Sequence, residues 1–155
     1  MKYIKYYDTP FKRVKIIEED NKIIRLSFDE KDNFGEFELK DTELLNQTTK
    51  QLDEYFEGKR KKFELSLNPS GTEFMKKVWK ALEEIPYGET KSYKQIAETI
   101  KNPKASRAVG MANNKNPIPI IIPCHRVIGA NGELVGYALG LEMKKLLLEL
   151  EKGDT

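Results

Sequence analysis

The spacing of apolar residues changes at one point in this chain, and the change limits what it can fold into. Before the turn-forming run Asn68-Pro69-Ser70-Gly71, short segments near 2–7, 11–18, 22–28 and 34–40 are rich in Ile, Val, Phe and Tyr. Polar clusters such as Glu19-Asp20-Asn21 separate them, which is the pattern of β-strands. A helix follows, with Leu44, Leu45, Thr48, Leu52, Tyr55 and Phe56 at helical spacing and Gly58 as its stop. Residues 62–67 (KFELSL) read as one more strand. Beyond the turn run the period is helical: Phe74, Val78, Leu82 and Ile85 form one apolar face, Trp79 flanks it, and Pro86 and Gly88 end it. The expected architecture is α+β, with a small N-terminal α/β domain over 1–69 and a mainly helical domain over 70–155.

Length and composition remove several classes. A chain of 155 residues, 34% charged and 39% hydrophobic, can bury a globular core. No apolar run approaches the roughly 18 residues of a membrane span, and the N-terminus lacks the apolar region of a signal peptide. One cysteine cannot form an internal disulfide, so a free thiol in a reducing, cytoplasmic setting is expected, with no membrane partner. One cysteine and one histidine are too few for a closed zinc site, and neither EF-hand nor P-loop spacing occurs. No metal and no cofactor are expected.

Positive charge is concentrated between residues 91 and 126. Lys91, Lys94, Lys101, Lys104, Arg107, Lys115 and Arg126 stand there against Glu98 alone, a footprint suited to a polyanion. Ser92 to Gln95 fits a capping box that opens a two-turn helix. Asn102-Pro103 ends that helix, with Pro103 suited to the first turn of the next. The second helix, near 104–114, spaces Ala105, Ala108 and Ala112 by three and four, which makes one side smooth. The pair reads as a helix-turn-helix, or else as an ordinary αα-hairpin whose small residues serve packing.

Inside this half stands PIPIIIPCHRVIG, residues 117–129, with the only cysteine, Cys124, beside the only histidine, His125. Pro119 and Pro123 stiffen the approach and remove amide donors. Arg126 supplies a cationic neighbour of the kind that lowers a thiol pKa. The glycine-rich ANGELVGYALG follows as the wall of a pocket. Adjacent residues in extended chain point apart, so a bridging water is the natural link between thiol and base. The last helix, 141–151, is expected to bury Met143, Leu146, Leu147 and Leu150 and to offer Glu149 or Glu151 to orient the histidine.

IPCHRVIG, preceded by NPIPI and SRAVGMA, resembles the O6-alkylguanine-DNA alkyltransferases, and the agreement runs over residues 72–151. The first 70 residues resemble that family's variable, ribonuclease H-like domain in size and layout. The resemblance implies a C-terminal domain with a helix-turn-helix, winged-helix-like, and stoichiometric, irreversible transfer of an alkyl group from O6-alkylguanine, or O4-alkylthymine, to a cysteine. Duplex DNA carrying alkylated bases would be the partner, and the protein would act as a monomer.

Carried over by position, the nucleophile is Cys124, its water-linked base His125, and the orienting carboxylate Glu151 rather than Glu149. Asn116 matches the hinge asparagine, and Tyr93 the tyrosine that contacts the flipped base and can neutralise the leaving group. Val127 offers a carbonyl to the guanine amine, and Tyr137 and Ala138 belong to the pocket loop. Arg107 matches the arginine that replaces the extruded base, within a DNA-facing set of Lys104, Ala105, Ser106, Arg107 and Arg126. Ala138 stands where serine is common, and Leu139 where some members have glycine. Two other readings are a lesion-binding protein of the same fold without activity, and a Cys–His hydrolase.

Overall fold

The computed structural model describes residues 1–132, 137 and 139–153. They divide into two compact units, Met1–Ser70 and the part that begins at Gly71.

In the first unit β1 (Lys2–Asp8), β2 (Arg13–Glu19) and β3 (Lys22–Ser27) form an antiparallel meander, and β4 (Phe37–Leu39) adds a short parallel strand to β1. The sheet order is β3-β2-β1-β4. Asp20 and Asn21, both at positive φ, make the two-residue turn between β2 and β3, a conformation that Asn and Asp tolerate well. Helix α1 (Glu43–Phe56) is capped by the Thr42 hydroxyl and ends before Gly58, which takes the left-handed conformation at φ 75°. Its inward residues Leu45, Leu52 and Tyr55 are buried, as are Ile4, Val14, Ile16, Ile17 and Ile23 of the sheet, and together they make this unit's core.

The strand expected over 62–67 is a single bridge, Ile23 to Leu67. The Gln51 side chain explains this. Its Nε2 donates to the Glu64 carbonyl at 3.2 Å and its Oε1 accepts the Glu64 amide at 2.9 Å, so a side chain of α1 takes the place of a neighbouring strand.

In the second unit α2 (Glu73–Glu83) is capped by Thr72, and Trp79 lies at its buried centre rather than on a flank, its Nε1 donating to Ala112 O at 2.8 Å. Then come β5 (Lys91–Ser92), α3 (Tyr93–Thr99), α4 (Ser106–Asn114), a 3₁₀ turn (Cys124–Arg126), β6 (Val127–Ile128) and α5 (Leu141–Lys152). The Ser92–Gln95 capping box is formed. Pro103 lies in the connecting turn rather than in the first turn of α4, because Lys101, at φ 63°, and the Ala105 amide on Asn102 O carry the chain through that turn. The alanines do not share one smooth side: Ala108 is exposed, while Ala112 is buried against α2. Strands β5 and β6 pair in parallel, Lys91 with Val127 and Ser92 with Ile128, which brings the start of α3 beside the 3₁₀ turn.

Candidate active site

The proline-rich run reaches the 3₁₀ turn through a closed loop. Asn116 Oδ1 accepts the Ile118 amide at 2.9 Å, and its Nδ2 donates to Ile122 O at 2.8 Å. Ile122 N bonds Ile118 O, and Cys124 N bonds Ile122 O at 2.8 Å. Between them Ile120 holds φ 75°, a left-handed conformation that a β-branched residue adopts only when its surroundings impose it. Residues 117–127 are buried throughout.

Cys124 is 3% exposed. Burial pushes its thiol up, while hydrogen bonds from the Asn116 and Tyr137 side chains and the charge of Lys144 pull it down without prevailing. The sequence assigned that electrostatic help to Arg126; the cation is Lys144.

His125 is fully buried, and its Nε2 lies 2.6 Å from Glu151 Oε2. Burial alone would raise the Glu151 carboxyl, but its hydrogen bond with His125 and its pairing with Arg126 outweigh burial and hold the group at about 2. Glu151 is thus an acceptor only, so the proton between them sits on Nε2. The lone pair is then on Nδ1, a buried atom with no partner among the described residues. Burial, helped by the charges of Arg126 and Lys144, outweighs the pull of Glu151 and lowers the His125 pKa, so the ring is neutral at pH 7. A neutral imidazole with its tautomer fixed by a carboxylate is ready to take a proton at Nδ1.

Arg126, expected to face DNA, points inward instead. Its Nε and Nη2 bond the two Glu151 oxygens at 2.8 and 3.1 Å, and its Nη1 bonds Ile85 O at 2.7 Å. The guanidinium is thus engaged inside the protein by Glu151 and Ile85. Helix α5 buries Met143, Lys144, Leu147 and Glu151, whereas Leu146 is 42% exposed. Two charged residues take inward positions that apolar periodicity gave to Leu146 and Leu150, because each has a buried partner. For Lys144 the partner is the Val127 carbonyl, 2.5 Å from Nζ. Burial lowers Lys144 to about 8, with Cys124 pulling the other way.

Tyr93, half-buried at the start of α3, lies against Gly110 of α4. Its hydroxyl is raised by burial and by the charge of Cys124. Lys94, Lys101, Lys104, Arg107 and Lys115 are exposed, while Ala105 and Ser106 are partly exposed. Tyr137 is buried, and Ala138 lies outside the described residues. Sequence reasoning missed Lys144 and also Asn113, whose Nδ2 donates to Cys124 O at 3.3 Å. Neither carries a local signal, since a lysine or asparagine in a helix ordinarily faces water.

Residues 73–153 match the family profile described as 6-O-methylguanine DNA methyltransferase, DNA binding domain, and residues 2–69 match the ribonuclease-like domain of the same proteins. The chain belongs to the 6-O-methylguanine DNA methyltransferase family. Among its relatives, the constitutive methylated-DNA–protein-cysteine methyltransferase of Bacillus subtilis is 46% identical over 98% of this chain and 96% of its own. That of Methanosarcina acetivorans is 60% identical over 73% of this chain and 72% of its own. The crystal structure of the Mycobacterium tuberculosis OGT in complex with DNA superposes with a TM-score of 0.91 at 42% identity, covering 97% of this chain and 93% of that one. Like other methyltransferases of this family, the chain pairs a small sheet domain with a helical one. Among the described residues no helix is long and apolar enough to cross a membrane, and no cluster of His, Cys, Asp and Glu suits a metal.

Proposed function

We propose that this protein repairs O6-alkylguanine in duplex DNA by moving the alkyl group onto Cys124. The observation that carries the assignment of roles is the buried relay in which Glu151 fixes the proton on His125 Nε2 and leaves Nδ1 free as a base. The thiol proton passes through a water to Nδ1. The sulfur then attacks the alkyl carbon, forming an S–C bond while the bond from carbon to guanine O6 breaks. The departing guanine takes a proton from Tyr93, and the proton held on His125 restores the tyrosine. The product is a thioether with no leaving group for water to displace, so each molecule acts once.

The target nucleotide leaves the stack to be reached, at a cost of a few kcal/mol. In this reading α3 and α4 act as a helix-turn-helix, α4 presents Arg107 to fill the gap, and Lys104, Ala105 and Ser106 lie along the groove. Tyr137 and Ala138 line the base pocket, and residues 70–155 form the reactive domain beside an N-terminal domain of 1–69. Because Cys124, His125 and Glu151 come from one chain, a monomer suffices, and a free working thiol suits the reducing cytoplasm.

Intact mass after mixing with duplex DNA containing O6-methylguanine tests the proposal. One methyl group per chain, mapped to Cys124 and absent from Cys124→Ser, is the expected result. Binding without mass change would leave only a lesion-binding protein, and repeated turnover would point to a hydrolase.

A further inference from the structure

Helix α4 carries a polar side chain that packing alone does not call for. Asn113 is 1% exposed and shares the inward face with Val109 and Ala112. Its Nδ2 donates to the Cys124 carbonyl at 3.3 Å, while its buried Oδ1 has no partner among the described residues. A leucine would fill the same space without a stranded acceptor, so the amide is explained by what it holds rather than by what it fills.

What it holds is the peptide that joins Cys124 to His125. The same carbonyl accepts the 3₁₀ bond from the Val127 amide. Two donors on one carbonyl fix the plane of that peptide, and with it the directions in which both side chains leave the backbone. The other end of the tether is also firm, since Trp79 clamps the preceding residue through Ala112 O. Arg107 lies six residues earlier on α4 and is exposed, about 120° round the helix from Asn113.

We infer that Asn113 is a positioning residue for alkyl transfer, tying the aim of Cys124 to the helix that presents Arg107. The inference rests on Cys124 being the nucleophile. Asn113 acts through the Cys124–His125 peptide and touches no reacting atom.

Single-turnover transfer from O6-methylguanine duplex, measured over a range of DNA concentrations, tests this with Asn113→Leu and Asn113→Asp beside the parent protein. Leucine keeps the volume and removes the donor; aspartate keeps the shape and replaces the donor by an acceptor. The rate at saturating DNA should fall about ten- to a hundredfold in both, the scale of a misaimed reacting group. The half-saturating DNA concentration should stay within about twofold, and the melting temperature of Asn113→Leu should be kept or raised. A purely structural residue would give the reverse, a leucine variant that transfers at the parental rate, and that result overturns the inference. So does an aspartate variant with the parental rate. If the parent itself transfers nothing, the assignment of Cys124 fails instead.

Discussion

Arg126 grips both oxygens of Glu151, at 2.8 and 3.1 Å, and the carboxylate that results also holds His125. The imidazole is therefore oriented by a group whose own charge is balanced inside the protein. Glu151→Gln leaves the guanidinium buried without its counter-charge, which costs about 3–5 kcal/mol. The melting temperature should drop by on the order of 10 °C, as differential scanning calorimetry would read.

The same carboxylate gives a pH dependence with a definite sign. Its folded pKa of about 2 lies below its ordinary value, so its contribution is complete above the unfolded value of about 4.3 and fades as pH falls towards 2. Denaturant unfolding between pH 6 and 2.5 should show parental stability falling, with a shallower fall in Glu151→Gln.

Arg126 and Lys104 should separate in a salt titration of DNA binding. Lys104 is exposed and Arg126 is enclosed. Lys104→Ala should reduce the log–log salt slope by about 0.9 if it neutralises one phosphate. Arg126→Ala should leave that slope unchanged and lower thermal stability. A smaller slope for a folded Arg126 variant would put its guanidinium on the DNA after all.

Lys144 makes the thiol easier to ionise than burial alone allows. Removing the charge in Lys144→Met lets the Cys124 pKa rise further, so the transfer rate should need higher pH to reach a given value. In the parent, Lys144 loses its proton near pH 8, and its help fades above that point. Rates from pH 6 to 10 for both proteins should give profiles that are far apart below pH 8 and draw together above it.

Arg107 is an exposed residue of α4 remote in role from the buried relay. If Arg107 fills the gap left by the extruded base, Arg107→Ala should slow repair in duplex DNA severely, since the unstacking cost is no longer offset. Free O6-benzylguanine needs no extrusion, so its reaction with Cys124 should be nearly unchanged. Equal losses on the two substrates would make Arg107 a support of the active site.

Features that depend on near neighbours were legible in the sequence. The Ser92–Gln95 box, the Gly58 stop and the strands of the meander follow from residues a few positions apart. Glu151 could be chosen over Glu149 only through the family resemblance, because both stand on the last helix and only long-range packing turns one inward. Lys144, Asn113 and the inward turn of Arg126 were hidden for the same reason. Their partners, the carbonyls of Val127, Cys124 and Ile85, are backbone atoms 17, 11 and 41 residues away, and carbonyls leave no mark on a sequence. The strand lost at 62–67 shows the converse, where a good β pattern met a glutamine amide instead of a neighbour.

Cys124 is the only sulfhydryl in the chain, and it is 3% exposed. General oxidants and alkylating reagents in solution reach such an atom poorly, whereas the proposed reaction brings an extruded base to it. A population of these molecules then behaves as a dosimeter. The shortfall from one free sulfhydryl per chain on denaturation records how many lesions that population has already met.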